Sequence, residues 1–362
     1  MDDVTTWLDD AVFATPESRR ADPYPFYDRL RALPDGFGRS VDMGTWHTAT
    51  HAHVRALLVD PRFTTNPAFA TTTTRTVGAD PASSSPARNQ QDVLLFMDPP
   101  DHTRIRRLAS MAFTPRAVAR LEGDITRIAG ELLDEIGVGP GSGAFDLVSG
   151  YARLLPLAVI CQMFAIPDID RTSFLRWSDD LAHALEPIED PDEVEATIAS
   201  YLEFAAYFTD LSAARRTDLG EDLLSALLVA EADGDRLSND ELRSLFTLLF
   251  IAGHETTGNL IGNAMLALLR NPEQLDLLRA EPARIPGAVD ELLRYDSSVQ
   301  LTARIAKEPI EIAGTDVRFE PGDEVICYLG GANRDPAEFG HDAHLLDVTR
   351  DARNHVAFGG GI

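Results

Sequence analysis

The stretch "LSNDELRSLFTLLFIAGHETTGNLIGNAMLALLRNP", residues 237–272, decides the fold. Ser238 with Glu241 three residues on makes a capping box, and Asn271-Pro272 is a stop signal, so the spacing predicts one helix over 239–270. At a rise of ~1.5 Å per residue that helix is roughly 48 Å long, enough to cross a whole molecule. Leu245 to Ala252 is apolar on every side, which predicts burial. Gly253, Glu255, Thr256, Thr257 and Gly258 contradict those surroundings, being poor or polar choices for a buried helix interior. Something must offset that cost. Ala252 and Thr256, four apart, share a face with Glu255 beside them, so a small residue, a hydroxyl and a carboxyl line one short patch. The Thr256 hydroxyl can also bond back to the carbonyl one turn earlier and open the helix there. A plainer alternative is a Gly-kinked core helix whose carboxyl is satisfied by a distant Arg. A zinc-protease helix is excluded, because the "HE" of "HETTG" has Gly258 where the second His should stand.

Outward from this helix the composition is that of a folded protein. The chain has 362 residues, 44% of them hydrophobic and 25% charged. Length alone would allow two domains, but an α-rich chain of this size is expected to form one body over 1–362. A net charge of -26 argues against nucleic acid, whose phosphates would be repelled over most of the surface. Cys161 and Cys327 each sit in an apolar run and read as core thiols, which excludes a disulfide framework or a zinc cluster. The N-terminus has neither a basic start nor an apolar stretch long enough for a signal peptide or anchor, so a cytoplasmic protein without membrane attachment is expected.

Residues 101–250 carry helix signals broken by Pro and Gly. The stretch 303–330 alternates apolar and polar residues around a Gly turn and a Pro-Gly turn, the pattern of a small antiparallel sheet. The fold class is therefore mainly α with small antiparallel β-sheets. Residues 64–91, rich in Thr, Ser, Pro, Ala and Asn, read as a long mobile loop.

Three further constellations stand out. Glu291 and Arg294 lie three apart on one helical face; on a surface such a pair contributes only ~0.2–0.5 kcal/mol. From Asp101 to Glu122 no acid intervenes, while His102, Arg104, Arg106, Arg107, Arg116 and Arg120 form a basic island on an acidic protein. His102 and Arg106, four apart, can jointly grip a carboxylate, with Arg104 and Arg107 turned away; a solvated helix face is the bland alternative. Arg304 opens the predicted sheet, and His355 precedes the closing stretch "NHVAFGGGI", whose glycines describe a backbone bent tightly against something.

In this order these segments resemble the cytochrome P-450 haem-thiolate monooxygenases, particularly the soluble bacterial kind, from "DPYPFYDRLR" to the final Ile. "AGHETT" (252–257) is similar to the family's oxygen-activating motif and Glu291-x-x-Arg294 to its core ion pair. "DPPDHTRIRRL" resembles the haem-propionate helix, "GANRDP" (331–336) the segment before the haem loop, and "FGGG" (358–361) the start of that loop. The resemblance implies the cytochrome P-450 fold, its long central helix lying over haem b. It implies that Ala252 and Gly253 leave room beside the iron, that Thr256 bonds dioxygen, and that Glu255 is the proton-relay carboxyl. His102, Arg106, Arg304 and His355 would hold the propionates, with Phe358 against the cofactor. Glu291 and Arg294 would be a buried ion pair. A substrate pocket would be lined by Phe96, Leu248, Val299 and Leu301, with 64–91 closing over it.

The implied reaction is hydroxylation or epoxidation of an apolar small molecule by a monomer, using O2 and two electrons from NAD(P)H through a ferredoxin and its reductase. The ferredoxin is expected to dock over Arg104, Arg107, Arg116 and Arg120. Two departures accompany the resemblance. The family's Cys ligand is expected just after Ile362, so the chain through Ile362 holds no metal ligand; a haemless relative that activates a partner glycosyltransferase is the alternative. The basic residue expected shortly before the glycine loop is missing, with His344 and Leu345 in that neighbourhood.

Overall fold

The structure, a computed structural model, describes residues 7–8, 22–70, 93–137, 139, 143–167, 171–183, 191–232 and 234–361. Most of the segment expected to close over a substrate, 71–91, lies outside the described residues. The helices run α1 Tyr24–Arg31, α2 His51–Val59, α3 Asp101–Ala112, α4 Pro115–Glu135, α5 Leu154–Met163, α6 Arg171–His183, α7 Pro191–Thr217, α8 Leu223–Val229, α9 Asn239–Arg270, α10 Pro272–Ala280, α11 Ile285–Tyr295, α12 Leu329–Ala332 and α13 Pro336–Phe339. The strands are β1 Phe37–Arg39, β2 Trp46–Thr48, β3 Phe63–Thr64, β4 Glu231–Ala232, β5 Asp235–Arg236, β6 Thr302–Ala306, β7 Ile310–Glu311, β8 Arg318–Phe319 and β9 Glu324–Cys327. They fall into two compact units, Arg75–Gly262 and Met1–Thr74 with Asn263–Ile362.

The first unit is nearly all helix, and its core is aromatic. Phe164, Phe174, Trp177, Phe204, Phe208, Phe246 and Phe250 are buried in one cluster. Phe246 of α9 stacks on Phe208 at 4.3 Å and meets Phe164 edge-on at 4.6 Å, geometries that aromatic quadrupoles favour. The capping box forms as expected: the Ser238 N–H donates to Glu241 Oε2 at 2.8 Å, and the Glu241 N–H to Ser238 Oγ at 3.2 Å. The burial expectation needs correction. Leu245, Phe246 and Phe250 are enclosed, but Leu248, Leu249 and Ile251 are only half-buried and Ala252 is exposed. The aromatic positions pack on the unit's own core, and the remaining apolar positions turn out of it.

The second unit holds a five-stranded sheet in the order β1-β2-β9-β6-β3 and the pair β7-β8. The alternating stretch does pair antiparallel, β6 with β9 and β7 with β8. The sheet is nonetheless mixed, because β2 joins β9 in parallel, Trp46 opposite Val325 and Thr48 opposite Cys327. A parallel partner needs no tight turn and so leaves no local mark in the sequence. Cys327 is fully buried on β9, while Cys161 is half-buried on α5; burial pushes the Cys327 thiol up to about 12.

Candidate functional site

On α9 the Thr256 hydroxyl donates to the Ala252 carbonyl at 2.6 Å, the back-bond its position allows, yet the helix stays continuous from Asn239 to Arg270. Ala252 and Glu255 are exposed and Thr256 is half-buried. At Gly253 a Cβ would stand 3.0 Å from Ile160 Cδ1, so its smallness also lets α5 approach. His254, read in the sequence only as a failed zinc motif, is buried. Its Nε2 lies 2.8 Å from the Arg153 carbonyl and its Nδ1 bonds the Ser178 hydroxyl. Burial lowers its pKa from the ordinary histidine value.

On α3, His102 is buried and Arg106 exposed. Burial, then the Arg106 charge, holds the His102 pKa below its usual value, with Asp98 opposing. Arg104 is not a spare cation. It pairs with Glu241, lies 3.4 Å from Asp235, and so ties α3 to the start of α9. Its charge is matched inside the unit. Arg107, Arg116 and Arg120 are exposed, Arg120 standing 3.5 Å from Glu221. Phe96 closes the short 3-10 turn Leu94–Phe96 and is half-buried, as is Leu248.

In the second unit Glu291 and Arg294 are both fully buried. The guanidinium donates from Nε to Glu291 Oε2 at 2.6 Å and from Nη2 to Oε1 at 2.9 Å. Its remaining donors reach the carbonyls of Asn333 at 2.8 Å, Ala343 at 2.7 Å and Leu345 at 3.2 Å. A third member escaped the sequence reading. Arg350 Nε stands 3.5 Å from Glu291 Oε1, while its Nη1 donates to the Phe339 carbonyl at 2.7 Å. The basic residue found missing near His344 is thus present six positions later, and only the contact with Glu291 identifies it.

Arg304 is 6% exposed. Its guanidinium donates to the carbonyls of Ala303 at 2.9 Å and Gly360 at 3.1 Å. Among the described residues no carboxylate lies within ion-pair reach of it, and burial pulls its pKa down. The His355 Nδ1 accepts from the Ala357 N–H at 3.2 Å and its Nε2 faces Asp290 at 3.9 Å. Phe358 is 81% exposed, and Val299 and Leu301 are also exposed. What the glycines are bent against is now visible. Gly361 sits at φ 80, and a Cβ on it would meet the Leu58 carbonyl of α2 at 1.8 Å, so no other residue fits.

The donor set fits haem. A buried guanidinium satisfied only by neutral oxygens is costly without an anion, and a propionate carboxylate supplies one at Arg304. In the first unit, exposed Arg106 stands one helical turn from buried His102.

Comparison with known proteins agrees. Residues 192–350 match the family model described as cytochrome P450. The chain is 40% identical to the vitamin D(3) 25-hydroxylase of Pseudonocardia autotrophica over 94% of its own length and 80% of that protein. It is 38% identical to the cytochrome P450 monooxygenase PikC of Streptomyces venezuelae over 94% of its length and 78% of that protein. Among solved structures, P450BioI in complex with an acyl carrier protein superposes with a TM-score of 0.83 at 34% identity, covering 95% of this chain and 86% of that one. The chain belongs to the cytochrome P450 family. It is accordingly a haem b-dependent monooxygenase, an oxidoreductase supplied by NAD(P)H through redox partners. No helix among the described residues is long and apolar enough to cross a membrane.

Proposed function

We propose that this protein inserts one oxygen atom into a C–H or C=C bond of an apolar small molecule of the secondary-metabolite, terpenoid or fatty-acyl kind. The observation that carries the reading is the Thr256 hydroxyl tied to the Ala252 carbonyl at 2.6 Å, with Glu255 exposed beside it. With its hydrogen committed to that carbonyl, Thr256 Oγ1 keeps lone pairs to accept a proton-bearing donor from the open face. Glu255 then acts as the carboxyl that passes protons inward from solvent. Haem would supply dioxygen activation when bound; His102, Arg106, Arg304 and His355 would hold its propionates, Phe358 would pack on it, and Arg294, paired with Glu291, holds the Asn333, Ala343 and Leu345 carbonyls in place.

Phe96, Leu248, Val299 and Leu301 supply the apolar surface that selects the substrate, which fits the hydroxylase and monooxygenase names of two relatives. Residues 1–362 work as one domain and as a monomer. A ferredoxin delivers the two electrons over Arg104, Arg107, Arg116 and Arg120, so reduction slows as salt rises. Turnover of a panel of macrolides, secosteroids and fatty acyl chains under isotopically labelled dioxygen tests the reading. One labelled atom in product and one in water is expected, and label absent from every product would refute it.

A further inference from the structure

We propose that His254 is a positioning residue for the Thr256 hydroxyl: with Gly258 it clamps the back of α9 onto the backbone of Ala152 and Arg153 and so sets the direction in which Thr256 and Glu255 face. The proposal rests on the reading that Thr256 handles protons.

Four observations converge on the clamp. The first is the bonding of the imidazole, which is 3% exposed. The Arg153 carbonyl, 2.8 Å from Nε2, can only accept, so Nε2 carries the hydrogen and Nδ1 must accept from the Ser178 hydroxyl. Ser178 is itself 1% exposed. One partner just ahead of α5 and one buried on α6 therefore fix the ring's tautomer and its orientation.

The second is the approach at Gly258, where a Cβ would stand 3.0 Å from the Ala152 carbonyl oxygen and 3.5 Å from Arg153 Cα. Backbone meets backbone there, and a side chain would require that backbone to give by a few tenths of an ångström. The third is the geometry of what the helix is clamped to. Residues Val148–Ala152 form a π-turn, with the Arg153 N–H bonded to the Val148 carbonyl at 3.1 Å; such turns are rare and cluster at functional sites.

The fourth is angular. At ~100° per residue, His254 and Gly258 lie ~160° from Thr256 on either side, so the clamp is on the face opposite the hydroxyl. A helix held at its back cannot roll without breaking the His254 bonds or forcing Gly258 into Ala152. A roll would move Thr256 Oγ1 sideways, and misplacement of about 1 Å costs reactions on the order of a hundredfold. Nothing in apolar packing asks for a histidine here. A leucine would fill the volume and leave Ser178 short of a partner.

Burial is the largest influence on the His254 charge and disfavours protonation; the Arg153 carbonyl favours it, the Arg153 guanidinium disfavours it and Asp179 favours it. Protonation would turn Nδ1 into a donor. The Ser178 hydroxyl would then have to reverse, and the clamp would loosen as pH falls below the histidine range.

The test uses the full-length, haem-loaded protein. His254→Leu keeps the volume and removes both hydrogen bonds; His254→Gln restores a donor and an acceptor. Hydrogen exchange of the amides 252–260 reads the clamp, and the fraction of NAD(P)H electrons recovered as product reads its consequence. Expected for His254→Leu is faster exchange across 252–260 and roughly tenfold poorer coupling. In His254→Gln both should return, and the fall in coupling expected of the wild type at acid pH should be lost. Unchanged coupling in His254→Leu overturns the proposal, whether or not exchange quickens. Should His254→Leu fail to fold, Ser178→Ala decides in the same terms with a milder change. Thr256→Ala that couples like the wild type would overturn the underlying reading, and the proposal with it, independently of any result at His254.

Discussion

Arg294 and Glu291 are joined by two hydrogen bonds of 2.6 and 2.9 Å with neither side chain exposed at all. Three backbone carbonyls complete the guanidinium's shell. Removing one partner leaves an uncompensated charge in the core. Arg294→Met or Glu291→Leu should each cost ~3–5 kcal/mol in urea unfolding. A loss below about 1 kcal/mol would mean that the site relaxes or hydrates.

Arg350 should matter less. Its side chain is 12% exposed and it meets Glu291 at 3.5 Å, beyond hydrogen-bonding distance. Arg350→Gln is expected to cost ~1–3 kcal/mol, chiefly through the carbonyls it leaves. In a double-mutant cycle with Glu291→Gln the two costs should fail to add. Strict additivity would show that the 3.5 Å contact carries no energy.

Arg304 gives opposite signs with and without cofactor. In the apo-protein Arg304→Leu removes a buried cation that has no carboxylate partner among the described residues, so stability should hold or rise. Haem affinity should fall about tenfold or more, the equivalent of one charged hydrogen bond of ~1.5–3 kcal/mol. Haem titration followed by absorbance measures it. Equal affinity in both proteins would remove Arg304 from the cofactor site.

Glu324 is 2% exposed on β9, and its Oε2 has no hydrogen-bond partner among the described residues. Burial raises its pKa above the ordinary 4.5. Because the folded-state value is the higher one, the native protein holds this proton more tightly than the unfolded chain. Its stabilising effect is present below pH 4.5 and is lost as pH rises toward the folded value. Glu324→Gln should therefore be more stable than the wild type at neutral pH and no more stable in acid. Thermal unfolding across that range checks it, and a pH-independent difference would contradict it.

How much of this could be read from the chain depended on range in sequence. The ends of α9 were legible because Ser238, Glu241 and Asn271-Pro272 act within a turn of themselves. So was the back-bond of Thr256. The Glu291 and Arg294 spacing was visible, but full burial was not, since it depends on carbonyls at Asn333, Ala343 and Leu345. Arg350 escaped notice for the same reason. Arg104 read as a free cation because Asp235 and Glu241, which neutralise it, are remote in sequence. Gly253 and Gly258 read as flaws in a buried helix, whereas Ile160 and Ala152 show them to be points of close approach.

The most direct measurement is the partition of electrons in Thr256→Ala, haem-loaded and compared with the wild type at equal NAD(P)H consumption. Thr256 Oγ1 is held 2.6 Å from the Ala252 carbonyl and makes no hydrogen bond outside its own helix turn among the described residues, so haem content and the carbon monoxide spectrum should be unchanged. Product per electron should fall at least tenfold, with the difference appearing as hydrogen peroxide or water, as expected for the loss of a proton-handling group worth ~10²–10⁴ in rate. Wild-type yields of product from that variant would contradict the assignment of α9 as the oxygen-activating helix.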